Sequence, residues 1–136
     1  EESKVFDVRE YLDQSSRVQA VVNMFGPTDL TVQFEGGYEG ASRVFAGFDA
    51  ALAIPVTYVT PDDPPFLLFH GDSDPLVPIE QSRILLVALQ AAGVPAELVI
   101  VENAGHGFKP EEGKTISPSR QEIAQRAVEF FEEQLK

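Results

Sequence analysis

Three short apolar runs punctuate the chain, each closed by a turn. Val18 to Met24 (VQAVVNM) is rich in valine and stops at Gly26-Pro27. Phe66 to His70 (FLLFH) follows two prolines and stops at Gly71, and Ala96 to Val101 (AELVIV) starts after Pro95 and closes near Asn103-Ala104-Gly105. Runs without polar alternation are the pattern of strands covered on both faces, as in a parallel sheet. Between and after the last two runs the spacing becomes helical. Ile79 to Ala92 carries apolar residues at Ile84, Leu85, Ala88, Leu89 and Ala92, with Gly93 placed to end the helix in a left-handed conformation. From Ser117 or Ser119 to Leu135, the set Ile123, Ala127, Phe130, Phe131 and Leu135 repeats at helical spacing, with Pro118 suited to a first turn and Ser119/Glu122 to a capping box.

The order strand, long insertion, strand, helix, strand, helix predicts an α/β fold: a mostly parallel sheet of about three strands with helices on its faces. The crossover helix between the last two strands is what parallel pairing requires. Residues 30–64 form the insertion. It is interrupted by Gly36-Gly37, Gly40 and Gly47 and studded with Phe34, Tyr38, Phe45, Phe48 and Tyr58. A segment of this kind either packs as a small subdomain or covers a site as a lid. No internal repeat occurs, and the length of 136 residues suits one domain.

Charge narrows the function. The 136 residues hold 22 acidic and 10 basic side chains, a net charge of −12 that repels nucleic-acid phosphates and anionic membrane surfaces. There is no cysteine, which removes disulfides, thiolate nucleophiles and thiolate-bound zinc, and no apolar run is long enough to span a bilayer. No cofactor or metal is expected; Asp72, Asp74 and His106 could be imagined around an ion, but their spacing carries no specificity for one. The compartment stays open.

Candidate chemistry lies after the second and third strands, in His70-Gly71-Asp72-Ser73-Asp74-Pro75-Leu76-Val77-Pro78 and Asn103-Ala104-Gly105-His106-Gly107-Phe108. The C-terminal edge of a parallel sheet is where rigid strands present loop side chains to a ligand. An aspartate on one loop that bonds a histidine on the next would fix its tautomer and free the other ring nitrogen as a base, which makes two thirds of a nucleophilic triad. Spacing alone leaves Asp74 open between this role and starting a turn before Pro75. Asp72 reads as a turn former, His70 at a strand end as a structural hydrogen bonder, Asp29 as a turn or cap residue, and the acidic stretch Glu129, Glu132, Glu133 as a solvated helix face.

The ensemble HGDSDPLVP, a helix opening IEQS, and GVPAELVIVENAGHGF resembles the C-terminal part of α/β-hydrolase esterases and lipases, notably the acetylxylan and feruloyl esterase group. More distantly it is similar to prolyl oligopeptidase-like serine peptidases. The resemblance runs from about Arg17 to the end and implies that Asp74 is the triad acid and His106 the general base. Such enzymes carry their serine in a G-x-S-x-G turn ahead of the acid and the histidine. No G-x-S-x-G occurs here. Gly40-Ala41-Ser42-Arg43-Val44 lacks the second glycine and lies in the insertion, so Ser42 is not read as a nucleophile.

The expectation is therefore the C-terminal portion of a serine hydrolase acting on carboxylic esters, inactive alone, whose substrate is an ester in the complete enzyme. Its partner would be a missing N-terminal half, or a second copy, joined through Val18 to Met24 as an edge strand. Two other readings stay open. One is the C-terminal part of a prolyl oligopeptidase-type peptidase, and the other is a non-catalytic interaction module on the same scaffold.

Overall fold

The computed structural model describes residues 13–30 and 54–136. Of the insertion, residue 30 and residues 54–64 fall inside this range, so the choice between subdomain and lid, and the position of Ser42, lie outside the described residues.

Three parallel strands form one sheet in the order β1 (Val21–Met24), β2 (Phe66–Gly71), β3 (Ala96–Val101). Helix α1 (Glu80–Ala91) crosses from β2 to β3, and α2 (Arg120–Gln134) follows β3. The parallel α/β sheet expected from the apolar runs is what forms.

Strand β1 is shorter than the run that predicts it. Its pairing starts where Val21 meets Phe66, and the Val21 amide donates to the Pro65 carbonyl at 3.0 Å. Earlier residues would face Pro64 and Pro65, which have no N–H to give to a ladder. Val18 is accordingly exposed, and β1, at the edge of the sheet, is half-buried rather than covered on both faces.

Alternation along β2 decides which helix goes where. Leu67 and Phe69 point to one face and join Val101, Ala104, Phe108 and Ile123 of α2 in one core cluster. Leu68 points to the other and packs with Leu85 and Leu89 of α1 and with Val94. A strand with apolar residues at every position can satisfy both helices at once. His70 shares the parity of Leu68, and so it faces α1.

The helix ends obey local rules. Gly93 has φ 79°, and the Val94 and Gly93 amides donate to the Leu89 and Gln90 carbonyls at 2.9 and 3.0 Å. This is a Schellman end in which Val94 also packs on Leu89. Nothing lies within 4 Å of a Cβ built on Gly93, so it is the backbone conformation that selects glycine there. At the other helix Ser119 and Glu122 form the reciprocal capping box, with Pro118 just outside the helix. Ile123 is buried and Ala127 and Phe130 are partly so, whereas Phe131 and Leu135, expected on the buried stripe, stand exposed. No described element reaches the end of α2 to cover them.

Leu68, which has no exposed surface, is expected to cost about 2–5 kcal/mol when changed to Ala. Val87→Ala on the outer face of α1 is expected to stay within about 0.5 kcal/mol. Urea denaturation followed by circular dichroism checks both.

Candidate active site

Strands β2 and β3 end level with one another, Gly71 opposite Val101. The loops that leave them are in direct contact because residue 71 has no side chain: a Cβ there would lie 2.1 Å from the Ala104 carbonyl oxygen. The contact is stitched by backbone bonds, the Asp72 amide donating to the Val101 carbonyl and the Ser73 amide to the Ala104 carbonyl, both at 3.1 Å. The loop after β2 carries Asp74 and the loop after β3 carries His106.

The two meet. Nδ1 of His106 lies 2.9 Å from Oδ2 of Asp74. An ionised carboxylate only accepts, so Nδ1 carries the proton and the lone pair of Nε2 is left unused. The Asp74 side chain is fully buried, while the His106 side chain is 37% exposed. The carboxylate is sealed beneath an imidazole that can be reached from outside.

The other oxygen of Asp74 holds its own loop. Oδ1 accepts from the backbone amides of Leu76 and Val77 at 2.9 and 3.0 Å. One oxygen of Asp74 thus closes the turn while the other bonds the histidine. Three N–H groups on one buried carboxylate meet the need of a charge removed from water.

A second histidine underpins this loop. His70 Nε2 donates to the Val77 carbonyl at 2.7 Å, since a carbonyl can only accept, and Nδ1 therefore accepts from the Ser82 hydroxyl of α1 at 2.6 Å. Its Nε2 is 3.7 Å from Oδ2 of Asp74, too far for a hydrogen bond but close enough to turn its dipole toward the carboxylate. Burial pushes the pKa of His70 below the ordinary histidine value, against the opposing pull of the Val77 carbonyl and the Asp74 charge. His70 is the structural hydrogen bonder expected of it.

On the other side His106 opens a turn, His106–Phe108, in which Gly107 has φ 69°. The Gly105 amide donates to the Lys109 carbonyl at 2.8 Å, and Arg120 at the start of α2 donates Nε and Nη2 to the Phe108 carbonyl at 3.3 and 3.0 Å. The ring of Phe25, one residue past β1, lies against His106 with centroids 4.5 Å apart. Each strand thus contributes one residue to the cluster.

Gln81 was not marked by its sequence context, where a polar residue near a helix start reads as solvated. It is buried, and its Oε1 accepts from the Thr28 and Asp29 amides at 2.8 and 2.7 Å, while Nε2 donates to the Asp29 carbonyl at 3.1 Å. This clamps the segment after β1 to α1 and places the Asp29 backbone in a structural link. Asp72, in the turn beside Asp74, accepts from the Ser73 hydroxyl at 3.0 Å. Among the described residues no group of three or more histidine, aspartate or glutamate side chains is arranged to hold a metal ion.

Two substitutions probe this framework. Gly71→Ala is expected to lower stability by about 1–3 kcal/mol, because backbone must move to admit the methyl group; denaturant titration measures it. Because the folded-state pKa of His70 is depressed, its contribution is intact above the unfolded-state value of about 6.5 and is lost as pH falls through the folded value. Thermal midpoints measured from pH 8 to pH 5 should therefore fall more steeply for the native chain than for His70→Asn.

Comparisons with known proteins place the chain among esterases. The chain is 42% identical over 57 residues to the esterase LipQ of Mycobacterium tuberculosis, an alignment covering 41% of this chain and 14% of that protein. Its structure is similar to a truncated form of a carbohydrate esterase from gut microbiota, with TM-score 0.73 and 28% identity over 92% of this chain and 45% of that one. It is similar also to a thermophilic esterase of the Planctomycetes species Thermogutta terrifontis in its propionate-bound form, with TM-score 0.69 and 27% identity over 91% of this chain and 46% of that one. The chain spans less than half the length of each of these proteins. Residues 2–89 match the BD-FAE family model, and the chain, with its parallel sheet and flanking helices, belongs to this family of esterase-like α/β-hydrolases.

Proposed function

We propose that Asp74 and His106 are the acid and the base of a Ser-Asp-His triad that hydrolyses carboxylic esters, and that the serine comes from a segment outside these residues. The observation that carries this reading is the 2.9 Å bond between a buried carboxylate and a reachable imidazole at the C-terminal edge of a parallel sheet. The ester-hydrolysing names of the similar proteins support it.

In this mechanism Asp74 keeps the proton on Nδ1 and stabilises the imidazolium as it forms. His106 Nε2 takes the proton of the serine hydroxyl as the serine oxygen bonds to the ester carbonyl carbon. The same proton then passes to the leaving alcohol as the acyl–oxygen bond breaks, leaving an acyl-enzyme. Water repeats the sequence and releases the acid. The serine turn also supplies an amide to the oxyanion hole, worth about 10²–10³ in rate, so the chain by itself is inactive. The outer edge of β1, unpaired among the described residues, is where the serine-bearing segment would continue the sheet.

The coding sequence upstream is expected to encode a strand–GxSxG–helix segment. With p-nitrophenyl acetate, the isolated chain should show no hydrolysis above buffer, and the protein that joins it to that segment should be active. In the joined protein Asp74→Asn should lower kcat by about 10⁴ and His106→Ala by about 10⁶. Hydrolysis by the isolated chain that disappears with His106→Ala would sink the proposal of a missing nucleophile.

A further inference from the structure

Among the described residues three non-glycine residues have positive φ: Phe25 at 49°, Asn103 at 56° and Phe108 at 53°. Asparagine enters this region readily, but phenylalanine seldom does. The two strained phenylalanines touch each other edge to face, with centroids 5.0 Å apart, and Phe25 touches His106.

The local turn explains the strain at Phe25 but not the choice of residue. The Phe25 amide extends the ladder to the Phe69 carbonyl at 2.9 Å. One residue later the Gly26 amide donates to Oδ1 of Asn23 at 3.0 Å, and a Cβ on residue 26 would lie 2.9 Å from Nδ2 of the same side chain. Asn23 thus closes the turn around a glycine at 26, with residue 25 held between them in the left-handed region. A glycine at 25 would take that conformation freely. The chain instead places an aromatic ring there, half-buried at the rim of the core and directed onto the imidazole.

We propose that Phe25 is a positioning residue for His106, its strained backbone swinging the ring against the imidazole so that Nδ1 stays on Asp74 and Nε2 faces outward. This rests on the reading of His106 as the base. The Asp74 bond fixes one atom of the ring but leaves the imidazole free to rock about it. Phe25 supplies the lateral contact, and Phe108, braced by Arg120 through its carbonyl, supports Phe25 in turn. The part of the site that precedes the insertion is thereby coupled to the base.

The test compares Phe25→Leu, which keeps apolar bulk, with Phe25→Tyr, which keeps the ring. In the 136-residue chain the proton on Nδ1 of His106 is followed by NMR as a downfield signal, identified by its loss in His106→Ala; the only other imidazole is His70. Asp74 and His70, which act on the imidazole, and Arg120, which braces Phe108, are untouched by either substitution. Loss of an aromatic contact should speed exchange of this proton with solvent by roughly five- to tenfold in Phe25→Leu and leave it near the native rate in Phe25→Tyr. In the ester-hydrolysing protein that includes this chain, Phe25→Leu should lower kcat by about tenfold with little change in KM, and Phe25→Tyr should restore it.

An unchanged exchange rate in folded Phe25→Leu overturns the proposal, as does an effect confined to KM, which would make the ring a substrate contact. Should Phe25→Leu fail to fold, Phe25→Met takes its place. If both unfold, the ring belongs to the core and the proposal also fails. The exchange measurement needs no turnover, so it is independent of the outcome of His106→Ala in the ester assay.

Discussion

The site depends on how closely two loops approach where parallel strands end side by side. Strands β2 and β3 run level to Gly71 and Val101, and the chain turns at once on both. Only a residue without a side chain at 71 lets the Ala104 carbonyl pass at that distance. Everything that gives the site its geometry hangs from this contact. The Ser73 amide bonds Ala104, Asp74 comes next on one loop, and His106 stands two residues beyond Ala104 on the other. A larger residue at 71 would separate the loops at their root, and the displacement would grow toward the two side chains.

Asp74 then serves two purposes with one charge. Its Oδ1 closes the turn through Leu76 and Val77, and its Oδ2 orients His106. A carboxylate that holds its own loop cannot swing away from the histidine, so its bond to His106 is preorganised by the bonds that build the turn. His70 adds a brace from below. It ties the Val77 carbonyl to Ser82 of α1, so the loop is fixed to the helix that follows it. Gln81 extends this brace to the segment after β1. Two successive polar residues of α1, both buried, therefore secure two different loops at one end of the sheet.

The larger elements were legible because their causes are local. Apolar runs between prolines and glycines marked the three strands, and helical spacing with Gly93 and the Ser119/Glu122 box marked both helices to within a residue or two. The start of β1 is not legible in its own residues because the limit is set by its neighbour: Pro64 and Pro65 cannot pair, whatever Val18 favours. Periodicity puts Phe131 and Leu135 on the apolar stripe of α2, but burial needs a covering surface, and none of the described elements supplies one.

The sequence by itself determined the fold class, the two loops that meet at the sheet edge, and, through its resemblance to esterases, the pairing of Asp74 with His106. It marked His70 as structural and Asp74 as a choice between turn and acid. Only the tertiary structure decided that Asp74 both closes its turn and bonds His106, that His70 and Gln81 hold the loops, and that Phe25 lies on His106. The physical reason is that these links join residues far apart in the chain through single atoms. A carboxylate oxygen, an imidazole nitrogen or a ring face acquires its role from what stands beside it. Periodicity reports which side of an element is apolar, and it cannot report which polar atom on a neighbouring element will be within 3 Å.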